Sequence, residues 1–190
     1  LDSSAAVYHY AAKQHALECR GRLDVSAAGA LLGSLPPDAF LVGLSSIHWR
    51  EAWKYGERAF RYCQHDVGHA LAGLRLAAAA LGWQLTLLGH LPSDRVASVL
   101  GLDRDGDFGE AEREEAELLA VVTTRPGAPA FDGWTPPRLS DGVRWAGRAN
   151  TLSQSHRFEW PVIEAVAQAV PQRAAVFDAK LGGLVGRGRL

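Results

Sequence analysis

Two adjacent residues, Lys54 and Tyr55, have side chains suited to moving protons. A lysine becomes a proton carrier when burial or neighbouring cations lower its pKa, and Arg50 and Arg58 stand close by in the chain. A tyrosine beside it can donate a proton or orient a carbonyl. On spacing alone, a surface lysine followed by a core aromatic is the commoner origin of such a pair.

A second set recurs at helical intervals: Tyr55, Arg58, Tyr62, His65 and His69. Steps of three and four place them on one helix face. Solvent faces are usually filled with Glu and Lys, whereas these groups donate hydrogen bonds or exchange protons near neutral pH. His65 and His69 are spaced to share a zinc ion, but only with further ligands, for which His90 and Asp94 are the candidates. The HDVGH segment lacks the glutamate that follows the first histidine in metalloprotease helices, so two buried or hydrogen-bonded histidines are the preferred reading.

A third candidate is Leu87-Leu88-Gly89-His90, where a glycine lets the backbone approach a flat ligand, although a plain turn uses the same residues. Ser45-Ser46 and His48 lack the G-x-S-x-G context of a hydrolase nucleophile. The sequence has neither a P-loop nor G-x-G-x-x-G, which argues against nucleoside triphosphates and a Rossmann cofactor.

The elements that must position these groups can be read from pattern. Ala6 to Tyr10 and Leu17 to Arg22 predict a β-hairpin or two short extended segments. Asp24 or Ser26 caps a helix running to Leu32, which Gly33 and Pro36-Pro37 terminate. Phe40 to Leu44 is a buried strand, and Ser45 or Ser46 then caps the helix of Trp49, Trp53 and Tyr55. Gly56 kinks that helix or separates it from a long one ending near Gly82. The long helix has an apolar stripe of Phe60, Cys63, Val67, Leu71, Leu74, Ala78 and Leu81.

Further on, Trp83 to Leu88 has β character, Ser93 or Asp94 caps a helix to Leu100, and the acidic stretch 103–117 reads mostly as a solvated face or loop. Leu118 to Thr123 is a strand. The proline-containing segment 124–153 shows no helical period and is expected to be a functional lid or a wrap onto a partner subunit, with Phe131, Trp134 and Trp145 as apolar anchors. Trp160 to Val170 is an amphipathic helix with Pro161 in its first turn.

Composition bounds the possibilities. A chain of 190 residues fits one domain and can bury about 70% of its unfolded surface. Lys and Arg are scattered and the net charge is −1, so no nucleic-acid footprint is expected. No apolar run approaches the ~20 residues of a membrane span, and nothing resembles a signal peptide. Cys19 and Cys63 form no metal-type spacing and no disulfide framework, which predicts free thiols in a reducing cytoplasm. The chain has no methionine, so it is expected to begin downstream of its translation start.

The segment WKYGERAFRYCQHDVGHALAGLRLAAAALGW resembles the nitroreductase-like flavoproteins, closest to the branch that oxidises thiazolines and oxazolines in modified peptides. The resemblance is carried by Lys54-Tyr55, Gly56-Glu57-Arg58, Arg61-Tyr62, Asp66-Val67-Gly68-His69 and Leu81-Gly82. VYHYAAKQHALE is similar to that branch's opening at Tyr8, Tyr10, His15, Leu17 and Glu18, and WAGRANTLSQSHRFEWPVIE to a segment near the end of such domains.

The resemblance implies an α+β fold: a mixed, largely antiparallel sheet flanked by helices, with a long central helix. It implies FMN at a subunit interface, accepting hydride from a small-molecule or peptide substrate while a nearby residue removes a proton. By position, Lys54 and Tyr55 inherit the catalytic role, Leu88, Gly89 and His90 the flavin contacts, and Arg148 a phosphate contact. The family's phosphate is held largely by an Arg-rich motif in the first helix, and this chain begins after that point. The expectation is one domain over residues 1–180 without that part, followed by a flexible tail over 181–190. A homodimer partner, or a second nitroreductase-like domain in tandem, would then complete the site. The alternatives are a non-catalytic module of the same fold serving dimerisation or peptide binding and, less favoured, a metal-binding helical protein.

Overall fold

The computed structural model describes residues 5–125, 127, 131, 133–139, 141–153 and 159–169. The chain opens with an antiparallel hairpin, β1 (Ala6–Ala11) and β2 (Ala16–Leu23), followed by α1 (Val25–Leu32). Of the two possible caps for α1, Asp24 is the one used, its Oδ1 accepting the Ala27 N–H at 2.8 Å. β3 (Ala39–Ser46) leads into α2 (Trp49–Tyr55), a 3-10 turn at Gly56–Arg58, and α3 (Ala59–Ala80). Then come β4 (Gln84–Leu87), α4 (Ser93–Leu100), β5 (Glu115–Thr123), β6 (Val143–Trp145) and α5 (Pro161–Ala169).

The strands form two three-stranded sheets, β1-β2-β6 and β3-β5-β4, and every described pairing is antiparallel. The α+β class, with antiparallel sheets flanked by helices and one long helix, is as the resemblance implied. β5 lies central in its sheet, and the run from Ala116 to Thr123 is buried throughout, as expected of a strand covered on both faces. Leu23, Leu31, Leu91, Val96, Leu119 and Val121 belong to the main core. A smaller cluster of Ala52, Ala59 and Ile163, with Phe60 against it, joins α2, α3 and α5.

Several local expectations are corrected. Ser45 and Ser46 do not cap α2. They stay in β3, paired with Ala116 and Glu115, because ladder hydrogen bonds satisfy their backbone, and His48 takes the cap position without a side-chain bond. At α4 the cap is Pro92, whose carbonyl accepts the N–H groups of Arg95 and Val96, and Ser93 and Asp94 fall inside the first turn. The acidic stretch is less solvated than expected: β5 starts at Glu115, and both Glu112 and Glu117 are buried.

The described parts of segment 124–153 wrap onto their own chain. Phe131 and Leu139 enter the core, the Leu139 N–H donates to Ser98 Oγ at 2.9 Å, Arg138 pairs with Asp94, and β6 adds to β2. Glu112 then accepts the N–H groups of Leu152 and Ser153 at 2.8 and 2.9 Å. Trp145 lies against Gly21 and Gly101, where an added Cβ would come within 2.7 and 2.5 Å of its ring, so both close approaches depend on glycine. The expected tail over 181–190 lies outside the described residues.

Candidate functional site

Lys54 and Tyr55 end α2, and the helix stops there because of the backbone at the next residue. Gly56 has φ 57° and ψ −141°, a combination essentially closed to residues with a Cβ. A Cβ there would also lie 3.2 Å from the ring of Trp160, just before α5. The chain turns through the 3-10 segment into α3, which brings the Tyr62 ring to 4.5 Å from that of Tyr55, centroid to centroid. Lys54 Nζ lies 5.1 Å from the Tyr55 ring centroid. Lys54, Trp53 and Tyr62 are exposed, so the described residues do not desolvate the lysine.

Near this junction is a buried polar knot that sequence reasoning missed. Glu117, from β5, accepts two hydrogen bonds from Gln64 Nε2 of α3, at 3.0 and 2.9 Å. His48 Nε2, at the start of α2, stands 3.7 Å from Glu117 and is buried without a hydrogen bond. Burial acts to raise the Glu117 carboxyl, but contacts from His48, Gln64 and Ser46 together outweigh it and hold the group below the usual glutamate range. The knot ties the first turn of α2, the second turn of α3 and the sheet together. Cys63 is also buried, and burial first, then the charges of Glu51, Glu117 and Asp66, push its thiol up to about 11. The only sequence sign of this knot was a glutamate inside an apolar β run, EAELLAVV.

The other residues of the expected site follow α3 in the chain. Leu88 is buried in the main core, with its N–H bonded to Leu119 O at 3.0 Å. Gly89 is half-buried, and the exposed His90 bonds through Nε2 to the Trp134 carbonyl at 2.7 Å. Arg148 is exposed beyond β6, beside Gly147, over which the Arg20 guanidinium lies. Tyr55 precedes α3 and Leu88 lies beyond its far end, and 22 helical residues span about 33 Å. β4 then runs back antiparallel to β5, and the Leu88 N–H reaches Leu119 O, two residues from the Glu117 that binds Gln64 in the second turn of α3. Among the described residues, no hydrogen bond or ring contact joins Lys54 or Tyr55 to Leu88, Gly89 or His90.

The stripe on α3 divides as expected on its polar side: Arg58, Tyr62, His65 and His69 are exposed. His69 Nδ1 is 3.9 Å from Asp66, and the described residues hold no group of three or more His, Cys, Asp or Glu able to share a metal ion. The apolar side is only partly covered. Cys63 and Ala78 are buried and Phe60, Val67, Leu71 and Leu74 half-buried, while Leu81, just past the helix, remains 61% exposed; Leu76, 72% exposed, and Ala80 lie on the opposite side, in line with Tyr62, His65 and His69.

Residues 22–109 match the Nitroreductase family. The matched stretch runs from the end of β2 past α4, and includes Lys54, Tyr55, Leu88, Gly89 and His90 but not Arg148. Flavin-dependent oxidoreduction is the general chemistry to which this match points. No curated protein and no solved structure is similar enough to match. No helix among the described residues is long and apolar enough to cross a membrane.

Proposed function

We propose that this chain is a unit of an FMN-dependent oxidoreductase of the azoline-dehydrogenase type, acting on a small-molecule or peptide substrate. The observation that carries the reading is the Nitroreductase match, because it includes both halves of the candidate site. When bound, the flavin would accept the hydride. Lys54 would take or relay the substrate proton, with Tyr55 orienting the reacting group, while the backbone at Leu88-Gly89-His90 would meet the ring system and Arg148 the phosphate.

A site completed by a second copy or a tandem domain is in keeping with the lack, among the described residues, of a hydrogen bond or ring contact between Lys54-Tyr55 and Leu88-Gly89-His90. The exposed face of α3 that carries Gly73, Leu76 and Ala80 beside Tyr62, His65 and His69 suits such a partner, since Gly and Ala let helices approach closely and Leu76 would bury apolar area. Both cysteines are free, in keeping with a reducing compartment such as the cytoplasm.

The test is a visible absorption spectrum of the purified full-length protein, followed by turnover of a synthetic thiazoline peptide. A flavin spectrum is expected, with Lys54→Ala abolishing oxidation while flavin stays bound. A colourless full-length protein refutes the flavin reading, and loss of flavin in Lys54→Ala refutes the role given to that residue. The non-catalytic alternative is favoured if the protein is colourless yet dimeric.

A further inference from the structure

The sheet β1-β2-β6 presents one face to the core, and the described residues leave the other open. Val7, Leu23 and Val143 face inward, with Leu23 in the core and Val7 and Val143 against it. Alternation along β1, and the pairings Tyr10 to Leu17, Tyr8 to Cys19, Ala6 to Arg22 and Arg22 to Arg144, put Tyr8, Tyr10, Leu17, Cys19, Arg22 and Arg144 on the opposite face. There Tyr8, Tyr10 and Leu17 are 51%, 52% and 67% exposed. An aromatic and aliphatic strip of this kind, held on rigid strands, is unusual for a free surface.

The charge on this face is one-sided. Arg22 and Arg144 are directly opposed across the ladder, an arrangement that costs stability because like charges repel, and both are exposed. Among the described residues neither has an ion-pair partner, and Glu18, the nearest carboxylate in β2, lies on the other face beside His9. Two candidate covers are disfavoured by charge alone. A second copy meeting this face with its own would set arginines against arginines. The segment 171–190 of this chain carries Arg173, Lys180, Arg187 and Arg189 against a single Asp178.

We propose that this face docks an acidic amphipathic helix of a partner protein or peptide, its apolar stripe on Tyr8, Tyr10 and Leu17 and its carboxylates on Arg22 and Arg144. The dimensions suit a helix. Six residues of β1 make a platform about 20 Å long, two strands wide beside Tyr8, Tyr10 and Leu17 and three strands wide only where β6 joins Gly21–Leu23. A helix of about 13 residues is as long as that platform. Helix on sheet is also the common way to cover an open sheet face. The face shares no residue with Lys54, Tyr55 or the turn at Gly89, so the proposal stands or falls separately from the flavin reading.

Fluorescence anisotropy with the full-length protein tests it. The probe is a fluorescein-labelled amphipathic peptide of about 14 residues, a leucine stripe flanked by glutamates, with a lysine-flanked twin as control. Saturable binding of the acidic peptide is expected, at least tenfold tighter than its twin. Arg22→Glu with Arg144→Glu should weaken it at least tenfold, and Tyr8→Ser with Tyr10→Ser likewise, with unchanged circular dichroism. Equal binding of the two peptides, no effect of the arginine reversals, or no binding at all overturns the proposal. So does equally strong binding to vesicles containing phosphatidylserine, or an arginine-reversed variant that changes oligomeric state in sedimentation.

Discussion

Replacing Gly56 by alanine isolates the hinge that presents Lys54 and Tyr55. Two costs are legible in the structure. The first is backbone: φ 57° with ψ −141° lies where a Cβ is strained, costing about 1–3 kcal/mol. The second is contact, because the new methyl would sit 3.2 and 3.3 Å from two atoms of the Trp160 ring. That ring belongs to the segment whose next turn supplies the buried Ile163, so it cannot withdraw without loosening the small core of Ala52, Ala59 and Ile163. The combined loss is about 2–4 kcal/mol, which for a chain of this size lowers Tm by roughly 5–15 °C. Gly29→Ala serves as the contrast. Gly29 lies inside α1 with nothing within 4 Å of the added Cβ, and should gain about 0.5–1 kcal/mol from reduced unfolded-state freedom. Thermal and denaturant unfolding followed by circular dichroism measure both. A Gly56→Ala protein melting within about 1 °C of wild type, or a Gly29→Ala protein as destabilised as Gly56→Ala, refutes the reasoning.

The remaining predictions concern the buried knot. Because the folded Glu117 carboxyl is held below its ordinary value, its stabilising contribution is complete above the unfolded value near 4.5 and is lost as pH falls through the folded one. Glu117→Gln should therefore cost roughly 1–3 kcal/mol at pH 7. It should also flatten the decline in stability between about pH 5 and pH 3, and denaturant titrations giving parallel pH profiles would refute this. With its thiol pushed up to about 11 and its side chain buried, Cys63 should resist a thiol reagent such as DTNB until the protein unfolds, whereas the half-exposed Cys19 reacts in the native state. Two rapidly labelled thiols in the folded protein would contradict the placement of Cys63.

Much of the framework was written locally. Alternation in VYHYAA and the apolar run LLAVVT specified strands, and the break at Gly56 was visible because a glycine between two helical patterns marks a hinge. The candidate residues Lys54 and Tyr55 were legible for the same reason: neighbours in sequence remain neighbours in space. Where two local signals competed, sequence could not rank them. Ser45 and Ser46 have good capping chemistry, yet a sheet partner far along the chain, at Glu115 and Ala116, claimed their backbone first.

Sequence by itself determined the long helix and the chemical types along it, since these depend on side-chain period and backbone preference within a few turns, and the class of fold through the family resemblance. Tertiary structure alone decided which of those residues meet. It joined Glu117 to His48 and Gln64 across two helices and a strand, and it folded the segment after β5 back onto its own chain. It also ran β4 back along β5, so that Leu88 bonds to Leu119, two residues from Glu117. Such meetings depend on packing directions between distant segments, which no local pattern encodes.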